Sequence, residues 1–82
     1  MNAEKYVGMI MRDDTEKFVR ETPKVYEPHR IVREYEFEDG AIVTYEWRDT
    51  SFVDFNHQFT LTQVPSKNPD KLNPGIIKTI SY

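Results

Sequence analysis

The sequence predicts an all-β fold, a small single-domain antiparallel sheet or partly open barrel, and three observations predict it. A hairpin pattern runs from Ile31 to Trp47 around Asp39-Gly40, an alternating strand follows it, and a short β-branched run covers Ile76 to Tyr82. With 82 residues, one domain spanning 1–82 is expected, large enough for a single modest core that buries roughly 60–65% of the unfolded surface.

The N-terminal third fits two periods. A helix over Ala3 to Met11 aligns Ala3, Tyr6, Val7 and Ile10 on one stripe, but it is short, and Gly8 inside it costs about 1 kcal/mol relative to Ala. An Asp13-x-x-Glu16 pattern offers the cap of a second helix ending before Pro23. Against both, strands 6–11 and 16–22 joined at Asp13-Asp14 make a hairpin. The hairpin is the preferred expectation, and an α+β arrangement with an N-terminal helix packed on the sheet is the alternative. Thr22 to Pro28, which contains Pro23 and Pro28, reads as a loop.

Strands 31–38 and 41–48 follow from the turn chemistry. A two-residue Asp39-Gly40 loop would set Glu38 against Ala41, Glu36 against Val43 and Glu34 against Tyr45, a carboxylate beside an apolar or aromatic group at each step. A three-residue loop, Glu38-Asp39-Gly40, is a type I turn with Gly40 in the left-handed region as a G1 bulge. It pairs Phe37 with Ala41, Tyr35 with Val43, Arg33 with Tyr45 and Ile31 with Trp47. One face becomes nearly all apolar, and the other carries Val32, Glu34 and Glu36 against Glu46, Thr44 and Ile42. A slip of one residue would exchange the faces, so Gly40 and the hydrophobic pattern specify one register.

Strand 52–64 continues the alternation, with Val53, Phe55, His57, Phe59 and Leu61 on one face and Asp54, Asn56, Gln58, Thr60 and Thr62 on the other. A tight Asp49-Thr50-Ser51 connection would place Trp47 opposite Val53, Tyr45 opposite Phe55, Val43 opposite His57 and Ala41 opposite Phe59. Three strands then share one apolar face that needs a cover. The β-branched run 76–82 reads as an edge strand. Between them, Pro65 to Gly75 is longer than the median connection of about 4 to 6 residues, and its prolines favour a stiff crossover.

Composition narrows the function classes. The formal net charge of −3 argues against nonspecific nucleic-acid binding, which rests on a basic surface. No cysteine is present, so no disulfide framework or thiolate metal site exists, and a reducing, cytoplasmic setting is expected. No signal-peptide pattern or membrane-spanning apolar run is visible. GxSxG elbows, phosphate-cradling glycine patterns, HxxxH pairs and EF-hand spacing are all missing. No catalytic residue, metal ligand or cofactor is assigned on these grounds.

Four groups of residues remain as candidate contacts. Glu34, Glu36, Glu46 and Asp54 would form an acidic reverse face for a basic partner, although solvated charge is the plainer explanation. Ile77 and Thr79 lie on the C-terminal strand, whose open edge suits strand addition by a protein partner or a second copy. Arg33, Tyr45 and Trp47 would make a stacking platform for single-stranded nucleic acid, against the simpler reading of core aromatics with an arginine at the rim. His57, central in an apolar stripe, would be the polar group of a ligand pocket together with tyrosine hydroxyls, or a core histidine with one hydrogen-bond partner.

The leading expectation is a non-enzymatic protein-interaction module acting through a sheet edge, the acidic face or the 65–75 loop. A single-stranded nucleic-acid binder is second and a small-molecule pocket third. A ligand-sized cavity beside His57 would reverse that ranking.

Overall fold

The computed structural model describes residues 3–12, 18–49, 56–67 and 71–81. Among the described residues one helix, α1 (Glu4–Met11), precedes five strands: β1 (Phe18–Glu27), β2 (Arg30–Phe37), β3 (Ile42–Arg48), β4 (His57–Gln63) and β5 (Gly75–Ile80). The strands form one antiparallel sheet in the order β1-β2-β3-β4-β5. Each strand therefore lies beside its sequence neighbour, and among the described residues β1 and β5 are the edges. The small antiparallel sheet is the expected fold, in its helix-bearing form.

The β2–β3 hairpin has the register set by Gly40. Ile31 faces Trp47, Arg33 faces Tyr45 and Tyr35 faces Val43. The Gly40 N–H donates to the Phe37 carbonyl at 3.0 Å, the Phe37 N–H donates to the Ala41 carbonyl at 2.9 Å, and Gly40 has φ 89°. These are the bonds of a three-residue loop with a left-handed final residue. A side chain at Gly40 would meet the Ser66 backbone nitrogen at 3.3 Å, so the close approach of the next loop also requires glycine.

Of the expected N-terminal hairpin, the first strand, 6–11, is replaced by α1, while 18–22 of the second, 16–22, is strand as the start of β1. As a strand, the segment would show apolar side chains on both faces, with Tyr6 and Ile10 on one side and Val7, Met9 and Met11 on the other. As a helix it gathers Ala3, Tyr6, Val7 and Ile10 toward the sheet. Tyr6 and Val7 are buried, and Ala3, Met9 and Ile10 pack against the core. An eight-residue helix is marginal alone, so the gain comes from covering the apolar face of the sheet. That gain outweighs the penalty at Gly8. The second helix suggested by Asp13-x-x-Glu16, ending before Pro23, is not formed over 18–22, where β1 pairs with β2 and the backbone bonds to the sheet instead; its start at 13–17 lies outside the described residues.

β1 also departs from expectation, because it occupies Phe18–Glu27 and absorbs the stretch read as a loop. Proline is tolerated on an edge strand or at a bulge, and Pro23 has both conditions: β1 is an edge, and its register with β2 breaks between Pro23 and Val25. Pro28 and His29 then make the two-residue turn between Glu27 and Arg30.

The β3–β4 pairing slides four residues from the expected one, so that Trp47 faces His57, Tyr45 faces Phe59 and Val43 faces Leu61. The shift is even, so the same face stays inward. It also removes a polar mismatch: His57 moves from the buried Val43 position to the end of the sheet, and Phe59 and Leu61 fill the centre. The core comprises Tyr6, Val7, Tyr35, Phe37, Ala41, Val43, Phe59 and Leu61. Val53, Asp54 and Phe55 lie outside the described residues.

The start of the 65–75 connection packs onto the hairpin. Pro65 is buried, and the Ser66 N–H and hydroxyl both donate to the Asp39 carbonyl, at 2.8 and 3.0 Å. β5 then returns along β4 as the expected edge strand. Its register breaks between the pairs Phe59–Lys78 and Thr60–Ile76, leaving Ile77 as the extra residue.

Candidate binding pocket

The sheet face under α1 is covered unevenly. Lys5 and Tyr6 hold the first turn of the helix at Asp39, while Ile10 and Met11 at its other end form one wall of a half-open cavity of about 410 Å³. Phe59 and Ile80 supply the rest of its apolar lining, and Arg33, Tyr35, Tyr45 and His57 supply the polar groups. The strand register explains the grouping. Arg33, Tyr45 and Phe59 form one cross-strand row, and Trp47, His57 and Ile80 form the next.

Tyr45 and His57 act as a pair. The Tyr45 hydroxyl and His57 Nδ1 are 2.6 Å apart, the phenol donating to a bare Nδ1 or the ring N–H donating to the phenol oxygen. Their rings are nearly parallel, 24° apart with centroids at 5.9 Å, and Tyr45 also leans on Phe59 at 4.9 Å. Packing against Phe59 therefore fixes the phenol that orients the histidine. His57 thus has the hydrogen-bond partner of the plain reading and also lines the cavity.

Arg33 provides the fixed charge. Its hydrogen bond with Tyr35 raises its already high pKa, with burial opposing, so it stays cationic across the accessible pH range. Burial pushes the Tyr35 phenol above its ordinary value, although the hydrogen bond with Arg33 pulls it down. Tyr35 consequently remains a neutral hydroxyl at neutral pH. On the outer side, Arg33 Nη1 meets Glu21 Oε1 at 3.4 Å, with both side chains about two-fifths exposed (42% and 40%). Such a pair contributes little to stability.

The opposite face of the sheet has a different character. Glu34 faces Lys24 at 3.9 Å. Glu46 Oε2 accepts from Arg30 Nε at 3.1 Å and from Arg48 Nε as well. Burial pushes the Glu46 carboxyl up, but the Arg48 and Arg30 hydrogen bonds outweigh it and leave the pKa below the ordinary carboxylate range. Glu36 stands opposite Arg20 and Ile42. The carboxylates expected to form an acidic patch are thus interleaved with cations from β1, β2 and β3, and Asp54 lies outside the described residues.

Of the other candidates, Trp47 is half-buried opposite Ile31 and His57, Ile77 packs against the core and Thr79 is exposed on β5. Sequence reasoning grouped Arg33, Tyr45 and His57 on one face but missed Ile10, Met11 and Ile80. The helical spacing of Ala3, Tyr6, Val7 and Ile10 was the signal for the first two. Among the described residues, no three histidine or acidic side chains come together as metal ligands, and no helix is long and apolar enough to cross a membrane.

The chain matches no family model, no curated protein and no solved structure.

Proposed function

We propose that this protein is a non-enzymatic binding module that takes a small organic molecule between the C-terminal end of α1 and the sheet. The observation that carries this reading is the cavity of about 410 Å³ beside the Tyr45–His57 pair. Ligand sites commonly occupy roughly 300 to 1,000 Å³ and combine an apolar lining with a few convergent polar groups. Ile10, Met11, Phe59 and Ile80 are the lining here, and Arg33, Tyr35, Tyr45 and His57 are the polar groups. A fragment screen followed by NMR tests it. Binders should perturb the methyls of Ile10, Met11 and Ile80 together with the Tyr45 and His57 rings, and Met11→Trp should block them by filling the mouth from an exposed position. A diverse set that leaves those signals unmoved would remove the proposal.

A second reading rests on β5. The outer side of this strand has no strand partner among the described residues, and Ile76 on it is 63% exposed. An added strand from a protein partner or a second copy would satisfy the backbone groups along that edge. The far edge is less receptive, because β1 carries Pro23 and two register breaks.

A further inference from the structure

Resting on the pocket reading, we infer that the ligand is a monocarboxylate with an apolar body, its carboxylate on Arg33 and its body against Ile10, Met11, Phe59 and Ile80. Among the described residues, Arg33 is the only one lining the cavity that carries a permanent charge, and no carboxylate lines it. A cationic ligand would meet Arg33 with like charge. A wholly apolar one would strip water from the guanidinium without replacing its hydrogen bonds. An anionic head does neither. The guanidinium has five N–H donors in a fixed planar fork that matches two carboxylate oxygens; the hydrogen bond with Tyr35 and a long 3.4 Å contact of Nη1 with Glu21 use part of that fork and hold its plane at the cavity.

Glu21 also limits the charge of the head. Its carboxylate beside the same guanidinium already supplies one negative charge, so a dianion such as a phosphate monoester would face repulsion with no second permanent cation in the lining, among the described residues, to offset it. A monoanion competes with Glu21 on equal terms, and the weak, exposed character of that ion pair makes the exchange inexpensive. Tyr45 on the neighbouring strand and His57 on the one beyond it face a second polar group or the edge of the body as a hydrogen-bonded pair.

Matched probes test this. Octanoate, 1-octanol, octylamine and octyl phosphate share one body, and phenylacetate with 2-phenylethanol gives a second. Titrations followed by the Ile10, Met11 and Ile80 methyl signals should show each carboxylate binding at least about tenfold tighter than its alcohol, the size of one charge-assisted hydrogen-bond pair. Octylamine and octyl phosphate should both be weaker than octanoate. Arg33→Gln should bring octanoate down to the level of octanol and leave octanol unchanged, while Glu21→Gln should tighten octanoate alone. Equal binding of acid and alcohol, a preference for the phosphate, or an indifferent Arg33→Gln variant would overturn the carboxylate inference and leave the pocket proposal standing. Failure of every probe would also overturn it, and the fragment screen then decides separately whether the pocket binds anything.

Discussion

The Tyr6 hydroxyl donates to Asp39 Oδ2 at 2.6 Å, tying the buried face of α1 to the tip of the β2–β3 hairpin. Asp39 also accepts from the Ala41 N–H at 3.0 Å, faces Lys5 at 3.6 Å, and offers its carbonyl to Ser66. One turn residue thus joins the helix, its own hairpin and the start of the connection to β5. Tyr6→Phe keeps the ring against Phe37, 4.8 Å away, and removes only the hydroxyl. A hydrogen bond to a charged group contributes about 1.5–3 kcal/mol, and partial exposure of the carboxylate brings the expected loss to about 1–2 kcal/mol. Denaturant unfolding measures it; an unchanged midpoint would show that the bond holds nothing.

Asp39 and Glu46 make stability fall in acid. Burial tends to raise the Asp39 pKa, but the Tyr6 hydroxyl, the Ala41 N–H and Lys5 outweigh it and hold the carboxyl below its ordinary value. Glu46 is lowered in the same sense by Arg48 and Arg30, against burial. A carboxyl with a depressed folded-state pKa stabilises fully above its unfolded value, about 4 for these residues, and that contribution disappears as pH falls through the folded-state value. Unfolding free energy should therefore be insensitive to these two groups near neutrality and decline below about pH 4. Asp39→Asn combined with Glu46→Gln should flatten that decline at the cost of lower stability at pH 7. A double variant with the wild-type acid slope would assign the decline to other carboxyls.

Two glycines should respond to alanine in opposite directions. The nearest atoms to a Cβ at Gly8 belong to the flexible Arg12 guanidinium, at 3.2 Å, and the position is helical. Gly8→Ala should stabilise by up to about 1 kcal/mol, raising Tm by about 4–8 °C. At Gly40 a Cβ meets the Ser66 backbone at 3.3 Å, and φ is 89°. Gly40→Ala should destabilise by about 1–2 kcal/mol or more, since both the left-handed conformation and the packed loop resist a side chain. Calorimetry of the two variants beside wild type separates the effects.

The hairpin was legible because turn chemistry and strand alternation agreed on one register, with Gly40 as the shared constraint. α1 was less legible because its decisive advantage is not local. Gly8 and the helix's shortness argue against it in isolation, and only an apolar sheet face in need of a cover reverses the balance. Pro23 misled for a similar reason: proline is excluded from a central strand but admitted on an edge, and edge status is a property of the whole sheet. The pocket was half visible. Arg33, Tyr45 and His57 share a strand face by alternation, whereas Ile10 and Met11 reach them only once the segment is helical, and the four-residue slide of β4 decides that His57 stands at the cavity and not in the core.

The β5 edge gives the last prediction. If it recruits a second copy, sedimentation velocity should show a dimer that grows with concentration, and Ile76→Lys should abolish it, because a charge on that exposed position disfavours edge pairing without removing any bond between β4 and β5. Thr79→Pro should have the same effect by blocking ladder hydrogen bonding; the two variants together distinguish lost association from lost folding, since the lysine leaves the backbone intact. Circular dichroism should remain that of wild type for Ile76→Lys. A wild type that stays monomeric across the concentration range would exclude self-pairing through this edge, and strand addition would then require a different chain. Dimerisation that persists in Ile76→Lys would move the contact away from β5.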